Sequence, residues 1–368
     1  MISAKRKWIL KLKNLPGWRT RRRIIVFSVD DYGNVFLDSR QARENLRKTG
    51  LNVDGSRFSQ YDALETAEDL EQLFDILRST KDRNGRPAVF TAFAMSANLD
   101  FEAIVSSGYE TFHYELLPDT FRKRPGYEKV WHLWQQGMAE GIFVPEFHGR
   151  EHLNVRFFET YMRRRDPEVM ACLQNRSYAA ISQKPDSHIG FTEAFSLDTL
   201  DELDAHKAIV LDGLKAFERI FGRPSVHFNA PGAREHSFLE PTLREAGIRF
   251  IDTDIVKKEH QGNGEYKRKF RPFGSKNAIN QTYLFRNCVF EPLLTDSAVD
   301  DCLTEIDIAF SMGKPANISS HRVNFGGHIE PAVRAKGLDM LRRLLQEITR
   351  HWPDVEFMSS VEMACLIG

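Results

Sequence analysis

Residues 24–33 read IIVFSVDDYG, and their reading decides the fold. Residues 24–29 are an apolar, β-prone run, so Asp30 and Asp31 fall at the carboxyl end of a strand, where α/β folds build their sites. Neighbouring carboxylates there stay ionised only if paired or metal-bound. A second polar cluster, His148-Gly-Arg-Glu-His152, follows the apolar run GIFVPEF. Its imidazoles are four positions apart, which on a helical turn puts both on one face. Ligands from one Asp and two His leave positions open for water and substrate, the arrangement of a catalytic rather than a structural ion.

Each element alone is weak. With 12 His in 368 residues, roughly 0.4 His-x-x-x-His pairs arise by accident, and an Asp-Asp pair by itself suits a helix cap or a solvated turn. The joint context is stronger. A third β-like run, SVHFNAPGAR, ends in the turn Asn229-Ala-Pro231-Gly232, and a fourth, ANISSHR, ends at His321. Four polar clusters at four strand ends are hard to assemble by chance.

These residues, in this order, resemble the polysaccharide deacetylases, carbohydrate esterase family 4. That family has an apolar strand ending in Asp-Asp, a His-x-x-x-His segment, an Arg-x-Pro turn and a late strand ending in His. The resemblance runs through short motifs over roughly residues 24–361, and AVFTAFAM at 88–95 looks like the family's second strand. It implies a metal-dependent hydrolase that removes an N- or O-linked acetyl group from a polysaccharide or glycan. It further implies Asp30 as general base, Asp31, His148 and His152 as ligands of a divalent metal with zinc foremost, and His321 as general acid. Gly232 would offer its backbone N–H to the oxyanion. The chain departs from the pattern twice, with Gly149 where the family has Ser or Thr and Asn229 where it has Arg. That Arg orients the base; here either Asn229 or Arg234 from the same turn would do so. A second acidic partner is expected from Asp252 and Asp254 in RFIDTDIV, which alternate onto one face.

Strands separated by helices imply parallel pairing and a (β/α) barrel, distorted to seven or eight strands as in the resembled family. Expected helices begin at Asp38, ending at Gly50; at a Thr66/Asp69 capping box; at Asp198, running to Phe221 before Gly222; near Glu330; and at a Ser360 cap. Residues 258–292, with Gly262-Asn263-Gly264 and TYLF, read as a β-hairpin insertion near the site mouth. Trp131 and Trp134 read as core, Glu146 and Glu151 as either orienting carboxylates or solvated acids, and Arg322 and Asn324 as substrate contacts.

With 42% hydrophobic residues and no low-complexity stretch, residues 24–368 are expected to form one domain. The 51 basic and 51 acidic residues balance, so no global field points to nucleic acid. Cys172, Cys288, Cys302 and Cys365 are scattered without a C-x-x-C pair, which suits free thiols and a reducing, cytoplasmic compartment. Residues 1–29 hold nine Lys or Arg and no acid, interleaved with Trp8, Ile9, Leu10, Leu12, Leu15 and Trp18. The segment 1–23 is too interrupted for a transmembrane span. It reads either as a helix covering the barrel bottom or, through residues 5–23, as a basic amphipathic helix on an anionic membrane, which would suit a lipid-linked substrate.

Two readings compete with the hydrolase. A non-haem iron oxygenase could use the same ligands, and a non-catalytic carbohydrate-binding relative would accommodate the loss of the family Arg at Asn229. A free Asp30 beside the metal ligand favours hydrolysis, because an oxygenase triad needs no poised base.

Overall fold

The computed structural model describes residues 2–368. In chain order their strands are β1 (Ile24–Tyr32), β2 (Phe90–Met95), β3 (Ala97–Leu99), β4 (Tyr114–Leu116), β5 (Phe143–Gly149), β6 (His227–Phe228), β7 (Phe250–Asp252), β8 (Val256–His260), β9 (Tyr266–Phe270), β10 (Thr282–Leu284), β11 (Cys288–Val289), β12 (Ala316–His321) and β13 (Glu356–Phe357). Nine of them form one sheet in the order β10-β7-β6-β5-β2-β1-β12-β11, with β13 added on β1. Every pairing in it is parallel. Helices make the crossovers that parallel pairing demands: Ala67–Ser79 precedes β2, Val130–Ala139 precedes β5, Leu203–Phe221 precedes β6, and Ala298–Ser311 precedes β12. β1 is buried along its whole length, as a central strand covered on both faces should be.

The two ends of this sheet are one stretch of chain. Thr282 to Leu284 pair with β7, and after three residues Cys288 and Val289 pair with β12. Residues 282–289 thereby join the sheet's edges and curl it into the expected distorted barrel. The β8–β9 hairpin carries the expected turn, with Gly262, Asn263 and Gly264 all at positive φ. TYLF, expected within that insertion, is instead barrel strand β10, with Tyr283 and Leu284 buried.

Apart from the one expected at Asp198, the helices start within a residue or two of where their caps predict. Thr66 and Asp69 form the capping box of Ala67–Ser79, and Gly222 at φ 68° ends Leu203–Phe221. Ser39 rather than Asp38 caps Arg40–Lys48, and Ser359 rather than Ser360 caps the last helix; Asp38 pairs with Arg124 at 2.6 Å. Leu200–Glu202 is a 3-10 turn ahead of the long helix, which therefore begins later than the apolar pattern suggested. Trp134 is fully buried and donates its indole N–H to Glu65 at 3.1 Å. The four cysteines are free, Cys365 alone being exposed.

Candidate metal and catalytic site

Strict strand alternation would send Asp30 and Asp31 to opposite faces. The chain avoids this with a bulge: the β1–β2 register shifts between Val29 and Tyr32, and Asp31 adopts φ 76°. A non-glycine residue in this region stores roughly 1–3 kcal/mol, an expense that clusters at functional sites. As a result both carboxylates line a cleft of about 620 Å³ together with His148, His152, Asn229, Gly232, Asp252, Arg286 and His321.

Asp31, His148 and His152 present ligand atoms that all lie within 4.8 Å of one another. The Nε2 atoms of His152 and His148 stand 3.1 and 3.5 Å from Asp31 Oδ1. Neither contact has hydrogen-bond geometry, so Oδ1 is a buried acceptor with no donor, an arrangement that a cation between the three groups would satisfy. His148 Nδ1 faces the Asn229 carbonyl at 2.6 Å; donating there, it leaves the Nε2 lone pair turned to Asp31, the usual orienting device of a ligand imidazole. Burial would raise the Asp31 pKa, but the charge of His152, the contacts with His148 and His152 and the charge of His321 together outweigh it and hold the carboxyl well below the usual range. The two histidines do not share a helix face as the spacing suggested. His148 is the last residue but one of β5 and His152 sits in the following loop, and the turn between them brings the ring centroids to 5.3 Å.

Asp30 is held from three directions. Arg286 grips it with both terminal nitrogens, at 2.7 and 2.8 Å, and Asn229 donates to Oδ1 at 2.9 Å. The same guanidinium reaches Asp252 through Nε at 2.7 Å, and Asp252 meets His227 Nε2 at 3.2 Å. Burial pushes the Asp252 pKa up, yet Arg286 and His227 together draw it down to about 2. Arg286 lies in the three-residue break between β10 and β11. Of the two candidates for the missing arginine's role, Asn229 contacts Asp30, whereas Arg234 faces Glu193 at 3.9 Å. The sequence offered no sign of Arg286, because its route to the site depends on how the barrel closes.

His321 pairs in register with Asp30 across β1 and β12, its Nε2 3.9 Å from Asp30 Oδ2. Its Nδ1 meets Glu291 at 2.5 Å, and Glu291 is itself held by Arg57 at 2.9 Å and Asn324 at 2.6 Å. Burial lowers the His321 pKa, but Glu291 and the two aspartates outweigh it and raise it to about 9. Sequence reasoning missed Glu291, which follows β11 by two residues and had no motif to mark it.

Other expectations need correcting. Arg322 is fully buried, bonded to Asp62 at 2.7 Å and Glu65 at 3.0 Å, so it braces the loop beneath His321 rather than touching substrate. Asn324 serves Glu291 instead of the cleft. Asp254 is exposed at the rim while Asp252 alone faces the interior. Glu146 binds Ser225 and the Val226 and His227 amides, and Glu151 pairs with Arg150 at 2.6 Å, so neither orients the imidazoles of His148 and His152. Gly149 sits in a tight place: a Cβ there would lie 3.0 Å from the Glu151 carbonyl and 3.4 Å from Pro231, so a Ser or Thr would need these neighbours to give by a few tenths of an ångström.

No protein-family model and no curated protein matches this sequence. Among solved structures it is similar to two proteins described as putative. One is a polysaccharide deacetylase from Mycobacterium smegmatis, at 13% identity over 96% of this chain and 92% of that one, with a TM-score of 0.45. The other is a glycoside hydrolase/deacetylase from Parabacteroides distasonis, at 8% identity over 94% and 71%, with a TM-score of 0.51. The 4-alpha-glucanotransferase of Thermococcus litoralis is also similar, at 12% identity over 93% and 40%, with a TM-score of 0.43. At these identities the likeness is one of architecture, and the chain has the α/β barrel fold found in deacetylase structures.

Proposed function

We propose that this protein is a metal-dependent hydrolase that releases acetate from an N- or O-acetylated glycan. The observation that carries the reading is a carboxylate, Asp30, fixed by Arg286 and Asn229 beside the Asp31, His148 and His152 cluster and facing His321 across the same cleft. A divalent ion held by the cluster, zinc in our reading, would supply Lewis acidity towards an acyl oxygen and acidify a water. The remaining work falls to side chains. Asp30 accepts the proton of the attacking water, and its hydrogen bonds keep one carboxylate geometry ready for it. His321, charged through Glu291, gives a proton to the departing amine or alcohol. The Gly232 N–H, on the cleft wall, stabilises the developing oxyanion. Arg286 supplies the guanidinium missing at Asn229, which removes the main argument for a non-catalytic relative. An oxygenase would have no use for the Asp30 clamp. Buried free thiols fit a reducing compartment, and we place the enzyme in the cytoplasm.

The test is acetate release from a panel of acetylated sugars and oligosaccharides. Release should stop on chelation and return when zinc or another redox-silent divalent ion is restored. Turnover that survives removal of all metal would refute the reading, as would a metal-loaded protein inert on every acetylated substrate.

The His321 and Glu291 pair sets the pH profile. The acid must be protonated to act, so activity should fall as pH rises through the His321 value near 9. Glu291→Gln removes the acceptor that stabilises the imidazolium, and the alkaline limb should move down towards the ordinary imidazole value of about 6.5. A pH profile of kcat/KM for both proteins measures this; an unmoved limb would detach Glu291 from the acid.

A further inference from the structure

The amino-terminal helix is patterned the wrong way round for one that only covers the barrel. Helix Ala4–Lys13 lies on helix Ala298–Ser311. The Arg6 to Glu305 ion pair at 2.8 Å fixes it there, with a hydrogen bond from Asn287 to Asn14 at 2.8 Å just beyond its end. Arg6, Leu10 and Asn14 recur every four positions and so share the inward side. Trp8, Ile9 and Leu12 take the outward side, where they are 63%, 39% and 42% exposed, and Leu15 beyond the helix is 46% exposed. A surface helix ordinarily turns its apolar stripe to the core. Here no residue of the helix is fully buried.

Charge says what covers this face. Lys5 stands on the same outward side, Lys11 and Lys13 flank it, and among the described residues these three and Lys7 make no ion pair. Residues 2–29 contain nine Lys or Arg and no Asp or Glu. A second copy of the chain packed on this face would set lysines against lysines. Nucleic acid would satisfy the lysines but leave the Trp8 and Leu12 stripe in water. An anionic bilayer surface meets both needs, with indole and leucine at headgroup depth and ammonium groups at lipid phosphates. Among the described residues no helix is long and apolar enough to cross a membrane, so the contact is peripheral.

We propose that helix Ala4–Lys13, with Leu15 just beyond it, is a docking segment that lays this face on an anionic membrane. The proposal stands apart from the chemistry above. It is tested by sedimenting the full-length protein with phosphatidylcholine vesicles, with and without phosphatidylglycerol. The wild type should pellet only with the anionic vesicles and release as salt rises. Each lysine near such a surface contributes about fivefold in partitioning. Changing Lys5, Lys7, Lys11 and Lys13 to Gln should therefore weaken binding by at least about 100-fold, and Trp8→Glu with Leu12→Glu should also abolish pelleting. Circular dichroism and melting temperature should not change in either variant, since both alter exposed positions. Failure of the wild type to pellet, equal pelleting with neutral vesicles, or variants that pellet like the wild type would overturn the proposal. So would a wild-type dimer in sedimentation velocity that the Trp8 and Leu12 changes dissolve, because the occupant would then be a second copy.

Discussion

Asp30→Asn is expected to keep its metal and release acetate at least about 100-fold more slowly than the wild type, the usual range for losing a positioned base being about 10² to 10⁴. The change is nearly isosteric and removes only the basic oxygen that takes the water's proton. Asp31, His148 and His152 are untouched, so metal content should stay near one equivalent while turnover falls. The loss should appear in kcat more than in KM, since proton acceptance belongs to the transition state. Acetate release and metal analysis on the same preparation decide it. Wild-type turnover from the asparagine protein would remove Asp30 from the base's role and with it the mechanism.

Arg286→Met should impair stability and rate together. It strips the guanidinium from two buried carboxylates at once, Asp30 and Asp252, and breaking a buried pair by removing one partner costs about 3–5 kcal/mol. For a chain of this size that corresponds to a melting temperature lower by about 5 °C. Turnover should fall by about 100-fold or more, because Asp30 is left with one amide donor and no fixed orientation. Arg286→Lys separates the two effects: a lysine keeps the charge but cannot grip one carboxylate with two nitrogens while reaching another. It should recover most of the melting temperature and little of the rate. Full activity in the lysine protein would reduce Arg286 to a structural cation.

What was legible in the sequence is what local pattern encodes. IIVFSV announces a buried strand, and its end places Asp30 and Asp31 at a cleft without any knowledge of neighbours. His321 could be named for the same reason. The clamp on Asp30 and the partner of His321 were illegible because Arg286 and Glu291 reach the site only through closure of the sheet, and no local spacing records which strand end lies beside which. The same blindness made Arg322 look like a substrate contact, since nothing near it in sequence announces Asp62 and Glu65. The His148 and His152 pair was recognised with the wrong local geometry: periodicity sees that two side chains can converge, but a strand end plus a loop achieves it as well as a helix.

The stretch that joins the sheet's two edges also holds the arginine, and this ties assembly to competence. Residues 282–284 pair with β7 and residues 288–289 with β12, while Arg286 sits in the unpaired gap between them, gripping the carboxylate on β1 and the one on β7. On the mechanism proposed above, a chain whose ring had not shut would lack the Arg286 grip and keep Asp30 on the Asn229 donor alone. One side chain thus does two things: Arg286 holds Asp30 in the cleft and ties the stretch that joins the sheet's edges to β1 and β7.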